Sequence, residues 1–162
     1  MIGIDKIALQ RMIDHYPADA EITLQVLKGH LILEENLREL LDALLVNPSA
    51  LNGKRGTSLT CHQVICLAHA LAPIPFDSHS WLWSSAKQLN SLRNDLAHKL
   101  APSGIEEKIN TFIVTVMESD PDMPITPDQF PTLEVKFATC IGILCGIFSN
   151  IKRRTEATSV GA

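Results

Sequence analysis

The stretch LKGHLILEENLRELLDALL, residues 27–45, decides the fold class of this chain. Leucines recur along it, and just before it, mostly at spacings of three and four, which is the period of an amphipathic helix. The leucines that share this pattern are Leu24, Leu27, Leu31, Leu37, Leu41, Leu44 and Leu45. We therefore predict one long helix from about Asp19 to Val46, with these leucines on its buried face.

The helical period continues on both sides of this segment. Pro17 ends a short first helix, and the stretch NPSALNGKRG, residues 47–56, is predicted to be a loop. Four more helices are predicted: from Ser58 or Thr60 to Ala72, from Asp77 or Ser78 to Leu100, from a Ser103–Glu106 capping box to Glu118, and from Thr132 to Arg154. No strand pattern is present, so we predict an all-α, single-domain helical bundle of five to six helices over residues 1–155, followed by a flexible tail at 156–162.

Composition and charge narrow the function classes. The 162 residues are 46% hydrophobic and 20% charged, which is enough apolar sequence for one domain with a real core. A net charge of −4 is unlike the clustered basic surface of a general duplex-DNA binder. The N-terminus does not resemble a secretory signal, and the most apolar run, FATCIGILCGIF at 137–148, is too short to cross a bilayer as a helix. We expect a cytoplasmic protein without membrane contact.

The four cysteines, Cys61, Cys66, Cys140 and Cys145, form two C-x4-C pairs inside apolar segments. We expect reduced thiols that pack as small buried hydrophobic side chains. Their spacing is wrong for a zinc knuckle, so we predict no metal site built from the four of them.

The stretch SLRNDLAHKL, residues 91–100, places several polar residues near the end of a predicted helix. The core-facing stripe of this helix on a helical wheel consists of Leu89, Leu92, Leu96 and Leu100. Asn94 and His98 lie on nearly the opposite side, with Arg93 on one flank and Asp95 on the other. A solvent-exposed helix face explains these polar residues without any function. A protonated histidine near a helix C-terminus also interacts favourably with the helix dipole, which alone could account for His98.

The sequence R-N-D-L-A-H resembles the R-x4-H motif of the HEPN superfamily (higher eukaryote and prokaryote nucleotide-binding domains). That family is all-helical and carries its motif near the C-terminal end of a long helix. The segments LKGHLILEENLRELLDALL and LTCHQVICLAHAL resemble the helices that precede the motif helix, so the likeness covers roughly residues 20–150. The same three segments also resemble the mannitol operon repressor family, which is all-helical too.

The resemblance implies a metal-independent endoribonuclease of a toxin or phage-defence type, which needs no cofactor. It implies a homodimer in which two R-x4-H motifs line one cleft. His98 would be the general acid and base, Arg93 would hold the scissile phosphate, and Asn94 would orient the imidazole or contact phosphate. The product would be a 2′,3′-cyclic phosphate, and DNA would not be cleaved because it lacks the 2′-hydroxyl.

Several other residues are expected around that cleft. The basic residues that would capture RNA there are Lys54, Arg55, Lys87 and Lys99. Asp95 and Glu34 are supporting residues: Asp95 can pair with Arg93 or His98, and Glu34 can hold Arg93. The resemblance also implies a partner that restrains the toxin, often a nucleotidyltransferase-like antitoxin.

A different class of function stays open. The alternative is a non-catalytic transcriptional regulator that resembles the mannitol operon repressor and acts through protein–protein contacts. A third interpretation is a plain helical scaffold.

Two histidine patterns also leave alternatives. His62, Cys66 and His69 share one helix face and form a plausible three-ligand metal site, but we favour a partly exposed polar strip that faces a partner. His30 and Glu34 are four residues apart, and we favour an intrahelical His–Glu bond for them.

Trp81 and Trp83 lie about 200° apart around their helix. Both cannot face one core, so we expect one of them to cover a neighbouring element or a subunit interface.

Overall fold

The computed structural model describes residues 6–52, 58–74, 79–100, 102–119 and 125–159. These residues form seven α-helices, one 3-10 turn and no strand. The helices are α1 (Lys6–His15), α2 (Ile22–Leu44), α3 (Ser49–Asn52), α4 (Cys61–Leu71), α5 (Ser80–His98), α6 (Ile105–Glu118) and α7 (Leu133–Ser159). The prediction of an all-α helical bundle is confirmed. The helix beyond the predicted five or six is α3, a single turn inside the segment predicted to be a loop.

Helix α2 lies at the centre of the bundle and packs against α1, α4, α5 and α7. Its contact with α7 is the most extensive in the fold. Helix α7 contributes large, fully buried side chains to the core, namely Phe137, Ile141, Leu144 and Phe148. Each such side chain stabilises the folded state by about 1.5–3 kcal/mol through removal of apolar surface from water. The α2–α7 pair is therefore the main hydrophobic contact that assembles the bundle.

The buried face of α2 differs from the predicted one in its N-terminal half. Leu24 and Leu31 are 41% and 51% exposed, whereas Val26 and Leu33 are buried. Apolar residues occur on almost every side of the helix in this region, so leucine spacing alone does not identify the stripe. The position of α7 decides which of them are buried.

Gly29 marks a close approach of α2 and α7. A Cβ atom at this position would lie only 3.0 Å from Ile141 Cγ1 and 3.4 Å from Tyr16 Cε2. Because glycine has no side chain, Ile141 of α7 can pack directly against the backbone of α2 here.

Two buried polar side chains fix α2 against its neighbours. Asn36 accepts a hydrogen bond of 3.0 Å from the Ser149 hydroxyl on α7. Gln25 accepts one of 2.8 Å from the Tyr16 hydroxyl and donates two to carbonyl oxygens in the α1–α2 turn. Burial raises the pKa of Tyr16, so its phenol stays protonated and continues to donate. Since unpaired polar groups are costly in a core, these bonds specify one arrangement of α1, α2 and α7.

Two predicted helix ends are wrong and one is confirmed. The Ser103–Glu106 capping box is absent, because α6 begins after Gly104, whose φ of 66° is in the left-handed region that glycine adopts without strain. Helix α5 ends at His98, so Leu100 is exposed and does not belong to the core stripe. The Thr60 cap is present, and its side chain accepts from the backbone N–H of Gln63.

Other predicted boundaries differ by a few residues or fall outside the described ranges. Helix α7 continues to Ser159 rather than ending at Arg154, so residues 156–159 of the predicted tail are helical. Residues 160–162 lie outside the described residues, as do the predicted caps Asp77 and Ser78.

Both tryptophans of α5 are buried, which corrects the expectation that they cannot both face the core. The expectation that one of them covers a neighbouring element is met by Trp83. The Trp83 ring stacks on His69 of α4 with a centroid distance of 4.7 Å and lies 5.2 Å from Phe148 of α7. Helix α5 also packs against α2 and α6, so its N-terminal half is enclosed on more than one side. A helix enclosed in this way can bury residues 200° apart.

By length and composition, Leu133–Thr158 of α7 could cross a membrane. The apolar run at 137–148 has only twelve residues, which on the sequence alone excludes a membrane-spanning helix. The observed helix has 27 residues, so its length no longer excludes a membrane span. Half of the most apolar window of α7 is buried inside the bundle. One half of this window therefore packs within the bundle, as one face of a core helix does.

The corrected face of α2 can be tested by two matched substitutions. Leu33→Ala should lower the free energy of unfolding by about 3 kcal/mol, because it removes a buried side chain and leaves a cavity. Leu31→Ala, two residues away on the same helix and half-exposed, should change it by less than about 1 kcal/mol. Urea unfolding followed by circular dichroism measures both values. Equal losses would show that the buried face is assigned wrongly.

Candidate functional site

A cleft of about 470 Å³ lies between the middle of α2, the start of α4 and the C-terminal half of α5. The residues that line it are His30, Glu34, Arg38, Thr60, Cys61, His62, Asn90, Arg93 and Asn94. Nearly all of them are polar, and two belong to the R-x4-H segment. This cleft is the candidate functional site.

Helix α2 contributes three residues spaced by four, His30, Glu34 and Arg38. Each step of four residues rotates by about 40° around the helix, so the row moves gradually from the core to the surface. The side-chain exposures follow this rotation, at 5%, 21% and 44%. The row therefore places a buried imidazole, a half-buried carboxylate and an exposed guanidinium along one wall of the cleft.

Arg38 joins the α2 wall to the start of α4. Its guanidinium donates to Glu34 Oε1 at 2.6 Å and to the carbonyl oxygen of Leu59 at 3.0 Å. The Thr60 capping box with Gln63 then starts α4, so Cys61 is its first residue. Burial and, to a smaller extent, the Glu34 carboxylate raise the pKa of Cys61 to about 11, against the opposing effect of the Arg38 and Arg93 charges. The thiol is therefore protonated at neutral pH.

His30 connects α2 to α5. Its Nε2 lies 3.1 Å from Asn90 Oδ1, and its Nδ1 lies 3.7 Å from Glu34 Oε2. The second distance is too long for a hydrogen bond, so the predicted intrahelical His–Glu bond is not formed. Burial lowers the pKa of His30, and the Arg93 charge lowers it too, against the opposing effects of Asn90 and Glu34. His30 is therefore neutral at neutral pH.

Arg93 lies half-buried in the cleft wall. Its Nη1 donates to Asn94 Oδ1 at 3.1 Å, and the described residues provide no carboxylate in a salt bridge with it. The predicted contact from Glu34 is replaced by the pair between Glu34 and Arg38. With His30 neutral, the cleft contains two guanidinium groups and one carboxylate. It therefore has an excess of positive charge centred on Arg93.

His98 does not line this cleft. It is the last residue of α5 and is exposed. Five residues separate it from Arg93, which corresponds to about 140° around the helix axis. A single chain thus brings Arg93 and Asn94 together but leaves His98 outside.

The opposite flank of α5 holds Asp95 and Lys99. Asp95 pairs with Lys99 at 2.7 Å and with Lys108 of α6, so it contacts neither Arg93 nor His98. The ion pairs with Lys108 and Lys99 lower the pKa of Asp95 to about 2. Because Lys99 is engaged in this cluster, the structure does not bring it to the cleft. Asp95 instead fastens α5 to α6.

The other predicted RNA-binding residues are separated from the cleft or not described. Lys87 is exposed and lies seven residues before Asn94 on the same side of α5. It is close to His69 of α4, whose pKa is lowered mainly by burial and also by the charge of Lys87. Lys54 and Arg55 lie outside the described residues.

The four cysteines are free thiols, but they do not share one environment. Cys140 and Cys145 are buried, as predicted, whereas Cys61 is half-buried and Cys66 is exposed. The Cys66 thiol lies 3.6 Å from His62 Nε2, while the third member of the suspected metal face, His69, stacks on Trp83 instead. Among the described residues, the potential metal ligands that cluster are His30, Glu34 and Cys61.

Sequence reasoning did not place Arg38, Cys61, His62 or Asn90 in the cleft. Cys61 and His62 were assigned to other patterns, because the contact of α4 with α2 cannot be read from spacing along the chain. Asn90 could have been predicted as a site residue, because it lies three residues before Arg93 and four before Asn94 and is therefore their neighbour on the surface of the helix.

Comparisons of the chain with protein-family models, with curated proteins and with solved structures find no match. The relation to the HEPN superfamily therefore remains a prediction, which rests on the R-x4-H residues and their place at the end of α5. The relation to the mannitol operon repressor family remains a prediction as well.

The ion pairs of Asp95 with Lys99 and Lys108 make the stability of the fold depend on pH. The pKa of Asp95 is lower in the folded state than its usual value near 3.9, so its stabilising effect is present above about pH 4 and is lost as the pH falls toward 2. Asp95→Asn should lower the melting temperature at pH 6, and the difference from the wild type should shrink as the pH falls from 4 to 3. Thermal melts by circular dichroism measure this, and a difference independent of pH would contradict the assignment.

Proposed function

We propose that this chain is a metal-independent endoribonuclease of a toxin or phage-defence system, with a HEPN-like fold, and that it acts as a cytoplasmic homodimer without a cofactor. The observation that supports this best is the half-buried guanidinium of Arg93, which no described carboxylate neutralises, on the wall of a polar cleft. Such a cation favours an anion as the occupant of the cleft. Its planar fork matches the geometry of a phosphate.

The proposed reaction is a transesterification within the RNA chain. The ribose 2′-hydroxyl attacks the adjacent phosphorus while His98 accepts the hydroxyl proton, and the imidazolium then returns this proton to the leaving 5′-oxygen. Arg93 binds the non-bridging oxygens and stabilises the charge that builds on them, and Asn94 contacts phosphate or orients the imidazole. The P–O5′ bond breaks, which yields a 2′,3′-cyclic phosphate and a free 5′-hydroxyl. DNA lacks the nucleophile and is not a substrate.

A second copy of the chain is needed to complete this site. Arg93 and His98 point about 140° apart around α5, so His98 can act on a phosphate held by Arg93 only if it comes from another chain. In a two-fold symmetric dimer that pairs the C-terminal ends of α5, Arg93 of one copy and His98 of the other face one groove. Two equivalent sites result.

RNA capture in this proposal is local. The chain carries a net charge of −4, so long-range attraction of a polynucleotide is weak. The excess positive charge of the cleft acts only on a phosphate that already lies within it. Exposed Lys87 lies on the same side of α5 as Asn94, and in this proposal it contacts the RNA backbone next to the bound phosphate. An antitoxin partner restrains the enzyme by covering this face.

One observation favours the alternative, a non-catalytic transcriptional regulator that resembles the mannitol operon repressor. Leu9 and Ile13, one helical turn apart on α1, are 48% and 66% exposed, and Leu31 of α2 is exposed as well. Exposed apolar residues of this kind suit protein–protein contacts. A regulator of this type binds a partner protein, leaves RNA intact and is indifferent to loss of Arg93.

The enzymatic proposal predicts how purified protein acts on RNA. The wild type should cleave single-stranded RNA equally well with and without a chelator and leave 2′,3′-cyclic phosphate ends, which mass spectrometry detects. Arg93→Ala and His98→Ala should each slow cleavage by about 100-fold or more, because each removes a group that acts in the transition state. An oligonucleotide with 2′-deoxyribose at the cleaved position should stay intact.

His15→Ala is the matched control, since His15 is also an exposed histidine at the last position of a helix. It should cleave at the wild-type rate. Wild-type protein that leaves RNA intact under both conditions would refute the enzymatic proposal, and so would a His98→Ala variant of full activity.

A further inference from the structure

Three potential metal ligands meet in the cleft although they come from two separate helices. His30 and Glu34 lie on α2, and Cys61 is the first residue of α4. One donor atom from each residue lies within 4.8 Å of the donor atoms of the other two. Nitrogen, oxygen and sulfur donors in one cluster are the combination that zinc accepts in proteins.

The imidazole of His30 is oriented with its lone pair toward this cluster. Asn90 Oδ1 can only accept a hydrogen bond, so the Nε2 of His30 carries the proton and donates to it at 3.1 Å. In a neutral imidazole the Nδ1 is then an acceptor. This Nδ1 is buried and has no hydrogen-bond partner, and the residue is only 4% exposed.

Two acceptors therefore face each other at the centre of the cluster. The lone pair of His30 Nδ1 and the carboxylate oxygen Glu34 Oε2 are 3.7 Å apart with no hydrogen bond between them. An arrangement of this kind is unfavourable unless a positive charge lies between the two atoms. We propose that His30 Nδ1, Glu34 Oε2 and Cys61 Sγ form a binding site for one zinc ion.

The measured separation and the surroundings are close to those of a zinc site. Zinc–nitrogen and zinc–oxygen bonds of about 2.0–2.2 Å in tetrahedral geometry place the two donor atoms about 3.3–3.6 Å apart. His30 Nδ1 and Glu34 Oε2 are 3.7 Å apart, so a small shift of either side chain brings both within bonding distance of one ion. Arg38 holds the other carboxylate oxygen of Glu34 and Asn90 holds the other imidazole nitrogen. Outer contacts of this type orient ligands in metal sites. Three protein ligands leave a fourth position for water or another small ligand.

Zinc bound here would fasten the first turn of α4 to the middle of α2, beside Arg93. The Cys61 thiol loses its proton when it binds, since the charge of the cation outweighs the burial that keeps the thiol protonated. This binding site does not depend on the proposed ribonuclease activity, and its test uses no RNA.

The test is a titration of the full chain, stripped of metal by a chelator, with zinc in competition with a colorimetric chelator. The wild type should bind one equivalent, and its melting temperature should rise with zinc. Cys61→Ser and Glu34→Gln should each weaken binding by more than about 100-fold, which exceeds the about 10–100-fold expected for the orienting variant Asn90→Ala. Cys66→Ser is the matched control, because Cys66 is the exposed cysteine on the same helix, and it should bind as the wild type does.

Cobalt provides a readout that does not depend on the fold of the ligand variants. Co²⁺ added to Cys66→Ser protein should give a thiolate-to-metal absorption band, and this band would come from Cys61 because Cys140 and Cys145 are buried in the core. Absence of zinc binding to the wild type would overturn the proposal. Loss of binding or of the band in Cys66→Ser would do so too, since it would move the site to the His62–Cys66 face.

Discussion

The packing of α2 against α7 is the constraint on which the rest of the structure depends. Because Gly29 approaches Ile141 of α7 and the apolar face of α2 must be buried, the orientation of α2 about its own axis is fixed. That orientation points the row of His30, Glu34 and Arg38 toward α4 and α5. The buried bond between Asn36 and Ser149 fixes the same helix pair through polar groups. The cleft is thus a consequence of how the hydrophobic core is assembled.

The charges around α5 are divided between its two flanks, and this division determines which groups remain for function. Asp95 is occupied by Lys99 and Lys108 on the α6 side, where its pair with Lys108 joins α5 to α6. Glu34 is occupied by Arg38 on the α2 side. Arg93 is left in the cleft without a counter-ion among the described residues. A half-buried guanidinium is costly to keep in this state, which favours a ligand that carries negative charge.

The sequence was sufficient for the fold class, because the helical period of the leucines and the proline breaks are local signals. It was not sufficient for the buried face of α2 or for the burial of both tryptophans, since these depend on where α7 and α4 lie. The helical wheel of α5 showed that Arg93 and Asn94 lie away from the buried leucine stripe. The approach of Cys61 to Glu34 and the pairing of Asp95 with Lys108 depend on contacts between elements, which spacing along the chain does not encode. The pair of Asp95 with Lys99, four residues apart, has the spacing of a helical ion pair.

The central claim is that each site combines Arg93 of one chain with His98 of a second. The most direct test is the ribonuclease activity of mixed dimers of Arg93→Ala and His98→Ala, purified through two different affinity tags. A mixed dimer would contain one intact site and one doubly altered site, so it should recover about half of the wild-type activity although each parent is inactive. Mixed dimers as inactive as their parents, or a chain that forms no dimer, would contradict the account.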